Sequence, residues 1–199
     1  MIMSGSISRV ENGPVRPLKM SRKSSSRKDI KGGGWKGELV FEPGISTSFY
    51  LTQGSLIEEM SEFNGIDEFE ELEKIWLYKR PLKKGQLTQF ILNHQFVVIR
   101  SKHWHWSIEK HCDKILLQRN KSCIMVREYE EGILRNTPVV EIKHGGSKGS
   151  MQDLIKFLYR KDELKKAYHW MEDNCKDLAN RVFNEFVVEG SVGRSWHIW

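Results

Sequence analysis

Five short segments between residues 95 and 143 restrict the fold more than any other feature of the sequence. They read QFVVIRS, HWHWSIEK, KILLQRN, CIMVREYE and PVVEIKH, and polar breaks separate them. Runs of this length, rich in β-branched and aromatic residues, are typical of strands. Because no helical pattern alternates with them, they predict an antiparallel meander rather than a series of βαβ units.

Helical patterns flank this meander on both sides. Before it, residues 55–80 begin with a capping-box pattern at Ser55 and then carry apolar residues at helical spacing. After it, Ser150 with Asp153 predicts the start of a helix over MQDLIKFLYR, and a last helix is expected to begin at Asn174. We therefore expect an α+β fold in which a small antiparallel sheet packs against helices.

The positive charge of the chain is concentrated near its beginning. Residues 1–37 carry nine Lys or Arg against two acidic residues, a net of +7, so the rest of the +6 chain sums to −1. Residues 1–36 are also rich in Ser and Gly. Because such a composition buries little apolar area, we predict a disordered basic tail over this range. A solvated tail, an arm for an anionic membrane surface or nucleic acid, and a phosphorylation switch at Ser24–Ser26 all remain open.

The cysteine count and the hydropathy pattern bear on the compartment. Three cysteines are too few for a disulfide framework, and a reducing compartment follows as the expectation. No apolar run approaches the roughly 18 residues that span a bilayer, and the N-terminus lacks a signal-peptide pattern. We expect a cytoplasmic protein, with peripheral membrane attachment through the basic tail as an alternative.

The sequence DNCKDL places Cys175 in the first turn of the last predicted helix. Asn174 is a favoured N-cap residue, and Asp177 completes an approximate capping box. Unpaired backbone N–H groups and the helix dipole favour a thiolate at this position. The same N–H groups suit an oxyanion that forms on a substrate carbonyl. Cys175 is thus a candidate nucleophile, and a small buried apolar residue is the alternative.

The segment HWHWSIEKHC, residues 103–112, supplies candidate bases. Alternation along a strand puts His103, His105 and Ser107 on one face, and turns Trp104 and Trp106 towards the core. The histidines and cysteines here lack the spacing of a zinc site, so we predict no metal and no cofactor.

A nucleophilic cysteine needs a base, and the base needs a group that orients it. We predict that Cys175 attacks, that His105 moves protons, and that Gln118 on the next strand orients His105. Glu109 is a weaker candidate for the orienting group. Cys112 and Cys123 have no partner signature and are expected to be inert thiols.

These motifs together resemble a known family. HWSIEKHCDKILLQ followed by DNCKDLANRVFNEF is similar to the lecithin:retinol acyltransferase-like proteins, the circularly permuted branch of the NlpC-type papain-like thiol enzymes. The similarity lies in HWSI at 105–108, Gln118 thirteen residues after His105, and Asn-Cys at 174–175. The order of His before Cys also agrees. The family's acyltransferases usually carry histidine where this chain has Gln118.

The resemblance implies a permuted papain-like catalytic domain over residues 85–190. A helical N-terminal extension over 37–84 would precede it, and a C-terminal tail over 191–199 would follow. It also implies a hydrolase or acyltransferase that forms an acyl-cysteine on an ester, thioester or amide, with an acyl-containing lipid or peptide as substrate. A desumoylating or deubiquitinating isopeptidase and a non-catalytic interaction protein on the same fold are the alternatives.

Overall fold

A computed structural model of the chain describes residues 34–44, 47–62, 69–81, 93–131, 133–135, 137–169 and 171–194. The predicted basic tail lies outside the described residues except for 34–36, and so does Ser24–Ser26. Of the predicted C-terminal tail, residues 195–199 lie outside them as well. None of the helices in the described part of the chain combines the length and apolar character that crossing a membrane requires.

Eight strands among these residues form one sheet. In chain order they are β1 (Glu38–Gly44), β2 (Thr47–Thr52), β3 (Leu72–Pro81), β4 (Asn93–Ser101), β5 (His105–Lys110), β6 (Lys114–Asn120), β9 (Val140–Gly146) and β10 (Gly193–Arg194). Their order across the sheet is β10-β9-β3-β4-β5-β6-β1-β2. The neighbours pair antiparallel except β1 and β6, which are parallel. The sheet is therefore larger than the small sheet that the sequence predicts.

Helices cover both faces of this sheet. The helices are α1 (Leu56–Glu62), α2 (Cys123–Glu128), α3 (Met151–Arg160) and α4 (Cys175–Phe186), and a short hairpin of β7 (Tyr129–Glu130) and β8 (Ile133–Leu134) follows α2. The buried residues of α3 and α4, apart from Cys175, belong to the main core together with Trp106 and Ile108 of β5. Val126 of α2 packs on the opposite face against Tyr78, Phe96 and Val98. The mixed architecture of helices and sheet agrees with the predicted class.

The central strand β4 explains why the apolar run FVVI forms a strand. Phe96, Val97, Val98 and Ile99 are all buried, and they alternate between the two cores. A short continuous apolar run fits a strand that is covered on both faces. Helix α4 packs on β3, β4 and β5, so its first residue lies close to the beginning of β4.

The predicted helical extension over 37–84 is wrong for most of its length. Within this range only Leu56–Glu62 is helical among the described residues, whereas β1, β2 and β3 are strands of the same sheet. In β3 the residues Ile75 and Leu77 join the main core while Tyr78 joins the opposite one, a period of two that overrides the weaker helical spacing.

The segment CIMVREYE differs from its prediction in a similar way. Its first six residues form α2 instead of a strand, and within that helix only Val126 is fully buried. By contrast α3 and α4 begin where their caps predict: Ser150 and Asn174 each form a complete capping box with the Asp three residues on.

Candidate active site at the start of the last helix

Cys175 is the first residue of α4, and its position is fixed by the helix cap. The Asn174 side chain accepts hydrogen bonds from the backbone N–H groups of Lys176 and Asp177, at 2.9 and 3.3 Å. In return, the Asp177 carboxylate accepts one from the Asn174 backbone N–H at 3.0 Å. The thiol is only 5% exposed. It therefore lies at the positive end of the helix dipole, largely shielded from water.

His94, the second residue of β4, is the histidine that contacts Cys175. The imidazole is close enough to the thiol for each group to shift the pKa of the other, and its Nε2 lies 2.9 Å from Oε2 of Glu109. Because Glu109 occupies Nε2, the ring nitrogen left for the thiol is Nδ1. The Cys175 Sγ also lies 4.0 Å from the backbone oxygen of Asn93. A thiol, an imidazole and a carboxylate thus lie next to one another.

Glu109 is buried on β5 and is held from its other side by Arg135. The guanidinium donates to both carboxylate oxygens, Nη1 to Oε2 at 3.1 Å and Nη2 to Oε1. It also donates to Oε2 of Glu130 at 3.0 Å. Burial alone raises the pKa of the Glu109 carboxyl, but Arg135 and His94 outweigh it and hold that pKa well below its usual range. Glu109 is therefore a permanent anion that orients His94.

His111 completes the cluster beside this pair. Its ring centroid is 5.4 Å from that of His94, and its Nδ1 is 3.4 Å from Oε1 of Glu130. Burial lowers the pKa of His111, so the ring is neutral at pH 7. One ligand atom each from His94, Glu109 and His111 lie within 4.8 Å of one another, close enough for a metal ion. Both oxygens of Glu109 already bind the Arg135 cation, however, so hydrogen bonds account for the cluster better than a metal does.

The protonation states of the pair follow from these contacts. Burial lowers the pKa of His94, but hydrogen bonds with Cys175 and Glu109 outweigh it and raise that pKa to about 9. Burial raises the pKa of the Cys175 thiol, but the His94 imidazole outweighs it and lowers that pKa. The opposite shifts of the two groups favour an imidazolium–thiolate pair over two neutral groups. A thiolate is the nucleophilic form of cysteine.

Tyr168, in the connection between α3 and α4, approaches the same sulfur. Burial together with the nearby Cys175 raises the pKa of Tyr168 to about 12. The phenol therefore keeps its proton and can donate a hydrogen bond to an anion at this position.

The structure does not bring the predicted base His105 to Cys175. His105 begins β5 and pairs in register with Arg100, while its Nδ1 lies 3.2 Å from the backbone oxygen of Lys121. Arg100 comes six positions after His94 in β4, which is roughly 20 Å along a strand. The predicted pair of Cys175 with His105 is therefore corrected to Cys175 with His94.

Gln118 does not orient His105 either. It pairs with Ser107 across β5 and β6, accepts a hydrogen bond from the Ser107 hydroxyl, and donates one to Glu42, both at 3.2 Å. His105 pairs instead with Asn120. Glu109, the weaker candidate for the orienting group, does contact a histidine, but that histidine is His94.

Sequence reasoning overlooked His94, although its setting carries a signal. The residue directly precedes QFVVIR, an apolar strand, where a buried histidine needs polar partners.

Comparisons of the chain with protein-family models, with curated proteins and with solved structures found no match. A function is therefore inferred from the side chains of the site.

Proposed function

We propose that the protein is a cysteine-dependent acyl-transfer enzyme, a hydrolase or acyltransferase that attacks an ester, thioester or amide carbonyl. The observation that carries this proposal is the placement of Cys175 beside His94, whose Nε2 lies 2.9 Å from Oε2 of Glu109. A nucleophile, a base and a group that orients the base are the three components of covalent acyl transfer.

The reaction follows from the protonation states. The Cys175 thiolate attacks the carbonyl carbon, and the His94 imidazolium then gives its proton to the departing oxygen, sulfur or nitrogen. This leaves an acyl-cysteine and a neutral imidazole. Next, His94 removes a proton from water, an alcohol or an amine as that acceptor attacks the thioester, and the ion pair is restored. Glu109 holds the ring in place through both steps and stays ionised.

Two groups are placed to stabilise the oxyanion that forms in each step. At the start of α4 the N–H groups of Lys176 and Asp177 already bond the Asn174 side chain, so the backbone N–H of Cys175 is the donor of this turn that the cap does not use. The Tyr168 hydroxyl adds a side-chain donor beside Cys175. Donors that are fixed before the reaction cost little reorganisation in the transition state.

The same arrangement supports a circularly permuted papain-like fold of the lecithin:retinol acyltransferase-like type. In chain order a histidine on a strand comes first, then a polar residue on the next strand, and last a cysteine at a helix start. On this proposal His94 in HQFVVI takes the place of the family's strand histidine, and Glu109, a carboxylate, takes the place of the second polar residue. The assignment thus moves from HWSI on β5 to β4.

Trapping an acyl-enzyme tests the proposed function. The protein is mixed with a p-nitrophenyl ester, an acyl thioester and a peptide anilide, and adducts are located by peptide mass spectrometry. We expect an acyl group on Cys175, absent from Cys175→Ser and present in Cys112→Ser, the matched control. Partition of product between water and added alcohol or amine separates hydrolase from acyltransferase. Equal acylation of all cysteines, or of none, would contradict the proposal.

A further inference from the structure

Lys110 is a buried cation that the proposed reaction does not use. Its side chain has no exposed surface, although it is the last residue of β5. A buried ammonium is costly unless it is paired and hydrogen-bonded. Its Nζ donates to Oδ2 of Asp173 and to the backbone oxygen of Lys166, both at 2.9 Å. It also lies 4.9 Å from the ring centroid of Trp35.

The two partners of Lys110 lie on either side of Tyr168 in the connection that leads into Cys175. Asp173 directly precedes the N-cap residue Asn174, and Lys166 comes two residues before Tyr168. Between them, the backbone N–H of His169 donates to the backbone oxygen of Asp173 at 3.2 Å. The backbone N–H of Asp173 donates back to the oxygen of His169 at 3.1 Å. One ammonium group therefore holds the approach to α4 at two points.

Further contacts make Asp173 a fixed point rather than a mobile surface group. Arg181 of α4 donates to Oδ1 of Asp173 at 2.6 Å and to both oxygens of the buried Glu163. Asp173 thus joins the strand cation Lys110 to the helix cation Arg181. The start of α4 is connected to β5 through this one carboxylate.

The neighbour of Lys110 in the sequence holds the other half of the proposed site. Consecutive residues of a strand point to opposite faces of the sheet. Glu109 therefore reaches His94 on one face, while Lys110 reaches Asp173 on the face that α4 covers. Two adjacent residues of β5 hold the base and the helix that carries the nucleophile.

We propose that Lys110 is a positioning residue: by holding Asp173 and the Lys166 carbonyl it fixes Cys175 and Tyr168 relative to His94. This inference rests on the proposed function, because it concerns the thiolate–imidazolium pair. It assigns no contact between Lys110 and a substrate. A purely electrostatic role of the Lys110 charge is the competing explanation.

Two substitutions of opposite charge separate the two explanations. Lys110→Met removes a cation near Cys175, and Asp173→Asn removes an anion. If only charge mattered, the first would raise the pKa of Cys175 and the second would lower it. If Lys110 and Asp173 position the helix, both substitutions loosen the ion pair and both raise that pKa. The two explanations therefore predict the same direction of change in the pKa of Cys175 for Lys110→Met, and opposite directions for Asp173→Asn.

The pKa of Cys175 is read from its rate of alkylation by iodoacetamide against pH, resolved by peptide mass spectrometry. We expect the midpoint to rise by about one pH unit in both variants, and to stay unchanged in Lys165→Met, an exposed lysine of the same connection. Thermal melting checks folding. Because Asp173→Asn preserves the side-chain shape, it decides the question even where Lys110→Met does not fold.

The outcomes distinguish this inference from the proposed function. Fast alkylation of wild-type Cys175 below pH 7, with an unchanged or lowered midpoint in Asp173→Asn, overturns the positioning role alone. A wild-type Cys175 that reacts no faster than Cys112 overturns the proposed function, and the positioning role with it. A raised midpoint in both variants, with an unchanged one in Lys165→Met, supports the inference.

Discussion

The two ends of the β4–β5 strand pair carry the same residue type in opposite settings. Each strand has a histidine within its first two residues, His94 in β4 and His105 in β5. Because the strands are antiparallel, these two histidines lie at opposite ends of the pair. Helix α4 starts at the His94 end, where the thiol is, whereas His105 faces the backbone of Lys121. The comparison teaches that the neighbouring helix, and not the histidine itself, makes a strand end a candidate site.

The pKa shifts of the two histidines also differ between the two ends. At one end, the buried carboxylate of Glu109 helps to raise the pKa of His94 to about 9, against the effect of burial. At the other end, burial lowers the pKa of His105, and the nearby Arg100 adds to this effect. Only the first histidine is charged at neutral pH.

The largest expected effect is the loss of acyl transfer when the histidine of the α4 end is removed. His94→Ala should slow acylation of Cys175 about 100-fold or more, because general acid–base catalysis is lost. His105→Ala is the matched control and should leave the rate unchanged. The rate of acylation is measured by quenching the reaction at successive times and analysing Cys175 by mass spectrometry. Equal losses of acylation rate in His94→Ala and His105→Ala would contradict the assignment of the site to the His94 end.

The next effect concerns the ion pairs of the two ends. Glu109→Gln leaves Arg135 buried with less negative charge around it, and we expect a loss of about 3 kcal/mol in the free energy of unfolding. Near the other end, Glu73 pairs with Arg100 at 2.9 Å, and both side chains are more than 40% exposed. Glu73→Gln should therefore cost less than about 1 kcal/mol. Urea denaturation measures both variants, and similar losses would contradict this contrast.

A smaller and more direct test is the titration of the two imidazoles. NMR of histidine-labelled protein should show His94 losing its proton near pH 9 and His105 losing its proton below its ordinary 6.5. Because the pKa of His94 is raised by folding, its contribution to stability is present below pH 6.5 and is lost as the pH rises through 9. Glu109→Gln should lower the pKa of His94. A His94 that titrates at or below pH 6.5 would refute the ion pair.

The smallest predicted effect concerns the Tyr168 hydroxyl, which lies near the Cys175 thiol at the α4 end. Tyr168→Phe removes the hydroxyl donor near the sulfur and should slow alkylation of Cys175 at pH 6.5 about fivefold. Tyr159→Phe, on the exposed side of α3, is the control and should have no effect. A Tyr168→Phe rate equal to that of the control would leave the phenol without a role at the sulfur.

Local patterns predicted the parts of the fold that local forces determine. The caps at Ser150 and Asn174 and the strands β4, β5 and β6 could be read from the sequence, because each depends on neighbouring residues. The strands β1 and β3 could not be assigned in this way. Their partners β6 and β9 lie far along the chain, and only the assembled sheet shows that they pair.

The candidate site divides along the same line. Cys175 was singled out because a helix start is a local signal, whereas alternation along β5 named Glu109 only as a weaker partner of His105, and the structure pairs it with His94. The choice between His94 and His105 depends on which end of the sheet α4 reaches. That position is set by the packing of Leu178, Val182 and Phe183 in the main core, a long-range property.

The chain order of the site has a consequence for how the protein is made. His94 and Glu109 lie on adjacent strands that pair with each other, whereas Cys175 follows only after β6, α2, β9 and α3. During synthesis the emerging chain holds His94 and Glu109 first, and the thiol meets them only when α4 docks on the sheet. On the proposed function, Cys175 remains an ordinary thiol until that step, and its reactivity in mild acid would serve as a chemical signal that the last helix is in place.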